Sequence, residues 1–233
     1  LSVRGKRILV TGATGGLGPH LCEALLAMGA QVVGAARRRT RLDDLRAGLG
    51  QHERLHVAEC DVTRSEGVAA LFASLEAKAP LDAVVHAAGA FAFGELAAMD
   101  DDTVERLLST NLLSTTWILR EASRRMGPRG DGSIVVIGAD GALTPSAGLA
   151  LYGAAKAGSI HLVAALAEEL RSAGVRVNAV LPGIIDTPDN REAMPDADPE
   201  GWAKPGAIAR SVLWLASDDS RGVTGTWLRV PGQ

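Results

Sequence analysis

Tyr152 and Lys156 stand four residues apart in Leu-Tyr-Gly-Ala-Ala-Lys-Ala, within an apolar, alanine-rich stretch that reads as a helix. Positions i and i+4 of a helix share one face, so the phenol and the ammonium can approach one another. A neighbouring cation favours phenolate over phenol and draws a tyrosine pKa down from ~10. A tyrosine so placed can give or take a proton near neutral pH, as a general acid or base must. Tyr152 is also the only tyrosine in the chain. The same spacing arises by chance in many helices, so its meaning depends on what the rest of the chain sets beside it.

The strongest companion lies near the start. Lys6–Thr11 reads as a buried strand and runs into Thr11-Gly12-Ala13-Thr14-Gly15-Gly16-Leu17-Gly18, followed by a helix that tolerates Pro19 in its first turn. Glycines permit a tight turn and let backbone N–H groups approach a pyrophosphate, whose charge a helix N-terminus favours. The spacing is Gly12-x3-Gly16-x-Gly18, neither G-x-G-x-x-G nor a P-loop. The next strand, Gln31–Ala36, ends in Ala36-Arg37-Arg38-Arg39, where an NAD-binding chain would carry an acid for the ribose 2'-hydroxyl. A guanidinium fork suits a 2'-phosphate, so Arg37 favours NADP(H), with NAD(H) possible. The alternative is a solvated basic loop, the reading that suits Arg38, Arg39 and Arg41.

The elements that must position these residues alternate from end to end. Further β-branched runs fall at Leu55–Glu59, Ala83–Ala87, Ser133–Gly138, Val175–Val180 and Thr226–Val230. Helical patterns fall at Leu17–Met28, Arg41–Leu49, Ser65–Lys78, Thr103–Met126, Leu149–Ser172 and Gly206–Ser217. Near-continuous apolar strands separated by helices indicate a parallel sheet covered on both faces. No linker or repeat divides residues 1–233, which read as one domain. From Pro182 to Pro205 five prolines and several acids break the rhythm. A loop of that length after a strand's C-terminal end suggests a substrate lid at 183–205, or a loop without a catalytic role.

Composition bounds the rest. The chain has 47% hydrophobic and 22% charged residues and a net charge of -3, which gives no reason to expect a nucleic-acid partner or an anionic membrane. No apolar run looks long enough to span a membrane, and Val-Arg-Gly-Lys-Arg leads straight into a strand, so a cytoplasmic location is expected. Cys22 and Cys60 read as reduced core thiols. His20, His52, His56, His86 and His161 lack ligand spacing, and no metal site is expected.

Taken together these residues resemble the short-chain dehydrogenase/reductases over essentially the whole chain. Cys60-Asp61-Val62-Thr63 resembles the family's acidic segment after the third strand, and His86-Ala87-Ala88-Gly89 its Asn-Asn-Ala-Gly signature with both asparagines replaced. Asn111 matches the asparagine of a proton relay, Asn178 and Pro182-Gly183 match Arg-Val-Asn…Pro-Gly, and Thr187 matches a residue near the nicotinamide amide. The resemblance implies a doubly wound α/β fold with a mostly seven-stranded, Rossmann-like parallel sheet. It implies hydride transfer between nicotinamide and a small-molecule substrate, with Tyr152 handling the proton and Lys156 holding the ribose hydroxyls. It also implies that Asp61 and Val62 meet the adenine, that Ala87, Ala88, Gly89, Pro182, Gly183, Ile185 and Thr187 adjoin the cofactor, and that the chain forms a homodimer or homotetramer.

One position departs from the pattern. The family places a serine thirteen residues before its tyrosine, and here that residue is Ala139, followed by Asp140. A methyl group donates no hydrogen bond, and an ionised Asp140 only accepts. Three explanations compete: an inactive nucleotide-binding regulatory protein, slow reduction of ordinary carbonyls, or a substrate that does not need the serine. Dihydropteridine reductases share the Tyr/Lys pair without this serine, and their lid is similar to Asp186–Asp198 followed by Trp202, although they carry an acid where Arg37 stands. Phe91 and Phe93, beside the expected nicotinamide pocket, are candidate substrate walls or packing residues, and Trp202 a candidate lid contact. An epimerase or dehydratase using the same pair is a third class, disfavoured by the chain's length.

Overall fold

The computed structural model describes residues 2–232. Its elements run β1 (Arg7–Thr11), α1 (Gly18–Ala27), β2 (Gln31–Ala36), α2 (Arg39–Gly48), β3 (Leu55–Glu59), α3 (Ser65–Glu76), β4 (Ala83–His86), α4 (Asp101–Leu108), α5 (Ser114–Arg129), β5 (Ser133–Ile137), α6 (Ala150–Leu170), β6 (Arg176–Pro182), α7 (Pro188–Ala193), α8 (Pro205–Ala216) and β7 (Trp227–Val230). The seven strands form one parallel sheet in the order β3-β2-β1-β4-β5-β6-β7, the expected Rossmann-like arrangement.

Strand alternation explains the layers. Along β1, Ile8 and Val10 turn to an apolar cluster beneath α1 and α8, while Leu9 turns to the opposite cluster beneath α3, α5 and α6. Every residue of β1, β4 and β5 is buried, which is why these segments read as unbroken apolar runs. The chain winds outward from β1 to β3, then returns to β1's other side with β4. Strand order therefore reverses between β1 and β4, and ligands of open α/β sheets enter at the C-terminal ends there.

Three expectations need correction. The helix expected over Thr103–Met126 is α4 and α5 joined by one π-helical turn at Ser109–Leu113. That turn loosens the backbone ladder, and hydroxyls after it take up carbonyls: Ser114 donates to Thr110 O (2.6 Å), Thr115 to Asn111 O (2.8 Å) and Thr116 to Leu112 O (2.9 Å). Second, the segment read as irregular between Pro182 and Pro205 contains α7. Thr187 caps it by accepting from Asn190 N–H (3.3 Å), with Pro188 in the first turn, a start signal present in the sequence but short enough to be overlooked. Third, Ala150–Ala173 is by length and mean hydropathy (1.3) apolar enough to cross a membrane. Here it flanks β6 and α5, burying Ala155, Lys156, Ser159, Ile160, Val163 and Ala167.

Candidate active site

The glycine turn is shaped by close approach. Gly12 has φ +69°, and a Cβ there would lie 2.6 Å from Ala88 N; a Cβ at Gly18 would lie 2.4 Å from Gly12 O. No side chain fits at either position, so the turn after β1 presses against the end of β4. Thr14, Gly15 and Gly16 remain at least partly open, and no side chain caps the N-terminus of α1. The result is an exposed cradle of backbone at a helix start, the arrangement that suits a pyrophosphate. Gly16 faces Thr187, whose methyl would lie 3.0 Å from a Cβ there, so the segment after β6 closes the cradle's other side.

The end of β2 lies alongside, with Thr11 registered against Ala35 and Ala13 N–H donating to Ala35 O (3.2 Å). Arg37 is exposed just beyond and makes no hydrogen bond or ion pair among the described residues, whereas Arg39 is held by Asp43. Asp61 accepts from Thr63 N–H (3.0 Å) and Oγ1–H (2.7 Å), which fixes the turn after β3, and Val62 is buried in the core.

Lys156 and Asn111 meet at Gly89. A Cβ on that glycine would lie 3.2 Å from Asn111 Oδ1 and 3.3 Å from Lys156 Nζ. Asn111 pins the loop after β4: its Nδ2 donates to Ala90 O (2.8 Å) and Leu107 O (3.1 Å), and its Oδ1 accepts from Ala90 N–H (3.2 Å). Its carbonyl accepts from Ser159 Oγ–H (2.7 Å) as well as from Thr115. Lys156 Nζ is 6% exposed as a residue and donates to Ile137 O (3.1 Å). An ammonium carries three donors, so two remain to be met at the site, as the hydroxyls of a ribose would meet them. The residues present therefore fit a nicotinamide dinucleotide.

The charge states differ from the sequence expectation. Burial pushes the Tyr152 phenol up to about 12 and the Lys156 ammonium down to about 8. The expected lowering of Tyr152 by Lys156 is absent: loss of hydration disfavours the charged form of each group, phenolate and ammonium alike. His86, fully buried at the end of β4, is held neutral, down to about 3, by burial and then by Lys156. Its tautomer follows from the hydroxyls around it. Ser114 gives its proton to Thr110 O, so it accepts from His86 Nε2–H (3.0 Å), and Nδ1 accepts from Thr11 Oγ1–H (2.7 Å). His86 thus ties β1 to the start of α5, just after the π-helical turn that carries Asn111.

Ala139, 8% exposed, ends the strand segment before a single turn at Asp140–Ala142. Asp140 is gripped by Arg229 of β7 through Nε–Oδ1 (2.6 Å) and Nη2–Oδ2 (2.9 Å). Phe91 meets Tyr152 edge-on, with centroids 5.1 Å apart and planes at 78°. Trp202, by contrast, is buried at the base of the 183–205 segment, where Ile185 bridges Ala203 and the described C-terminal residues lie against Gly183 and Gly201. Asp186 draws that base together with Arg191 (2.6 Å) and Lys204 (3.0 Å).

Sequence reasoning missed Ser159, Ser114 and Arg229. Ser159 was accessible, since it continues the Tyr152/Lys156 face two turns on. Arg229 carried no signal, because its partner lies 89 positions away.

Residues 6–198 match the family model for short chain dehydrogenase. The chain is 38% identical over 240 residues to Nodulation protein G of Azospirillum brasilense, covering 97% of each chain. It is 34% identical over 242 residues to the 3-oxoacyl-[acyl-carrier-protein] reductase of Salmonella typhimurium, covering all of this chain and 98% of that one. A crystal structure of an actinorhodin polyketide ketoreductase variant with NADPH superposes with a TM-score of 0.90 at 28% identity, covering 100% of this chain and 98% of that one. With the reversed strand order, the glycine cradle and the Lys156–Asn111 meeting point already in place, these matches make the chain a member of the short-chain dehydrogenase/reductase family, an NAD(P)-dependent oxidoreductase.

Proposed function

We propose that the chain is an NADP(H)-dependent reductase of a carbonyl or imine-like conjugated substrate, with Tyr152 as the proton donor. The carrying observation is that Lys156 Nζ, on the helix that presents Tyr152, and the Asn111 amide converge on Gly89. The dinucleotide, when bound, supplies the hydride. Lys156 holds the ribose hydroxyls with its two remaining donors, and Gly12, Thr14, Gly15, Gly16, Leu17 and Gly18 take the pyrophosphate. Arg37 takes the 2'-phosphate, Asp61 and Val62 the adenine side, and Ala87–Gly89, Pro182, Gly183, Ile185 and Thr187 the nicotinamide side. Asn111 is a positioning residue that fixes Ala90. Tyr152, protonated throughout the neutral range, gives its proton to the substrate atom that gains negative charge.

Ala139 supports a substrate whose reacting group brings its own hydrogen-bonding atoms, and the likeness of Asp186–Asp198 and Trp202 to dihydropteridine reductases supports the same reading. Ala139 also favours a second reading, a nucleotide-binding protein without turnover. NADPH oxidation measured with aldehydes, ketones and quinonoid pterins separates them: turnover of any one removes the second reading, and none at all removes the first. Ala139→Ser adds one donor at the reacting oxygen, and a gain of about 10–100-fold on simple ketones is expected, below the ~10²–10³ that such a donor supplies in evolved sites. No gain would mean that the missing hydroxyl does not limit ordinary ketone reduction.

We also propose a homodimer or homotetramer through the long helix pair. The exposed acids Asp101, Asp102 and Glu105 of α4 and the exposed Arg124 and Arg129 of α5 suit an antiparallel meeting of two copies. Sedimentation should give the mass of two or four chains; a single-chain mass at micromolar concentration would contradict it.

A further inference from the structure

Two of the chain's three phenylalanines, Phe91 and Phe93, are 60% and 72% exposed, while Phe72 is in the core. Leu96, Leu143 and Ile184 are exposed as well. All five stand on the loops that leave the C-terminal ends of β4, β5 and β6, the rim of the cleft that holds Tyr152. Large apolar side chains left in water at one rim mark a surface that something apolar covers.

The two rings are held in place from the protein side. Phe91 meets the Tyr152 ring edge-on, and the residue before it, Ala90, is pinned through both N–H and C=O by Asn111. Phe93 sits on Gly148, where φ is +78° and a Cβ would come within 2.5 Å of the ring. Gly94 N–H donates to Gly148 O (3.0 Å), which clips the loop after β4 to the loop after β5. An aromatic wall so fixed needs little ordering when a ligand arrives.

The two carboxylates nearest the rim, Asp140 and Asp186, are already engaged. Asp140 and Arg229 neutralise one another, and Asp186 is taken up by Arg191 and Lys204. Ala139 places a methyl where the family carries a hydroxyl, which extends the apolar lining towards the reacting position. A polyhydroxylated substrate needs several convergent donors and acceptors, and an acidic one needs a free cation; a flat apolar ring needs only walls.

We infer that the cleft beside Tyr152 selects a flat, apolar, ring-bearing carbonyl compound over small polyhydroxylated ones, with Phe91 and Phe93 as the specificity-determining walls. The inference rests on the reductase reading above and narrows its substrate class. The test compares kcat/KM for α-tetralone and for dihydroxyacetone with NADPH. The expected preference for α-tetralone is about 30-fold or more, and Phe91→Ala and Phe93→Ala should each cut it about tenfold, chiefly through a higher KM for α-tetralone. Phe91→Leu and Phe93→Leu, which keep apolar bulk, should hold most of the preference, and melting temperatures show whether each variant is folded.

Equal or reversed preference in the unmutated chain, with turnover still abolished by Tyr152→Phe, would overturn the substrate class and leave the reductase reading standing. So would alanine variants that keep the full preference. Absence of turnover with both ketones, while an aldehyde or a quinonoid pterin is reduced, would overturn the substrate class alone; absence with all of them would overturn both.

Discussion

Tyr152→Phe should lower kcat/KM for every substrate the protein reduces by about 1000-fold, within the ~10²–10⁴ that a positioned general acid supplies, while NADPH affinity stays nearly unchanged. The substitution removes one hydroxyl and keeps the ring that Phe91 contacts edge-on, so packing is preserved. Because burial holds the phenol up at about 12, Tyr152 carries its proton across the whole working range and reduction needs no prior protonation. The upper limit of the pH profile then belongs to Lys156. Its ammonium is held down at about 8, so its charge is lost as pH rises through that value, and kcat/KM for reduction should fall above about pH 8. Stability runs the other way. A lysine whose folded pKa lies below its unfolded value costs stability while charged, and that cost is relieved between about 8 and the ordinary lysine value of 10.5. An activity loss that coincided with unfolding on the alkaline side would contradict this assignment.

Arg37→Ala is the second large effect. A guanidinium on a phosphate forms charge-assisted bonds worth ~1.5–3 kcal/mol, so Kd for NADPH should rise by about 10–100-fold and that for NADH should barely change. Arg37 suits this role because it is exposed at the end of β2, beside the glycine turn, and no carboxylate among the described residues holds it as Asp43 holds Arg39. Fluorescence titration of both dinucleotides against the two proteins measures it. Equal affinity for NADPH and NADH in the unmutated chain would remove the 2'-phosphate assignment.

The sheet was readable because β1, β4 and β5 are buried on both sides, and a strand buried on both sides leaves an unbroken apolar run. The glycine positions were readable for a related reason: Gly12 and Gly18 stand where a Cβ would strike backbone, so the residue type records the geometry. The pairing of Tyr152 with Lys156 on one helix face needed only the helical repeat. What escaped were interactions between distant segments and the effects of burial. The π-helical turn at Ser109–Leu113 leaves no periodicity break that a pattern can register, although Ser114, Thr115 and Thr116 in succession are its chemical trace. The direction of the Tyr152 shift depends on how dry the site is, which spacing cannot convey. Trp202 reads as a lid contact from the likeness of its segment to dihydropteridine reductases, and spacing cannot convey that it is buried.

The central claim is that this chain passes a hydride to a substrate and completes the reduction with the Tyr152 proton. It is tested most directly with NADPH deuterated at nicotinamide C4 on the transferable side and α-tetralone, with the alcohol analysed by mass spectrometry. One deuterium per alcohol from the unmutated chain, and about 1000-fold less labelled product per unit time from Tyr152→Phe, is the predicted result. Saturable binding of NADPH with no labelled alcohol from this or any other ketone tried and no NADPH oxidation with quinonoid pterins, or labelled alcohol formed equally fast by Tyr152→Phe, would contradict it.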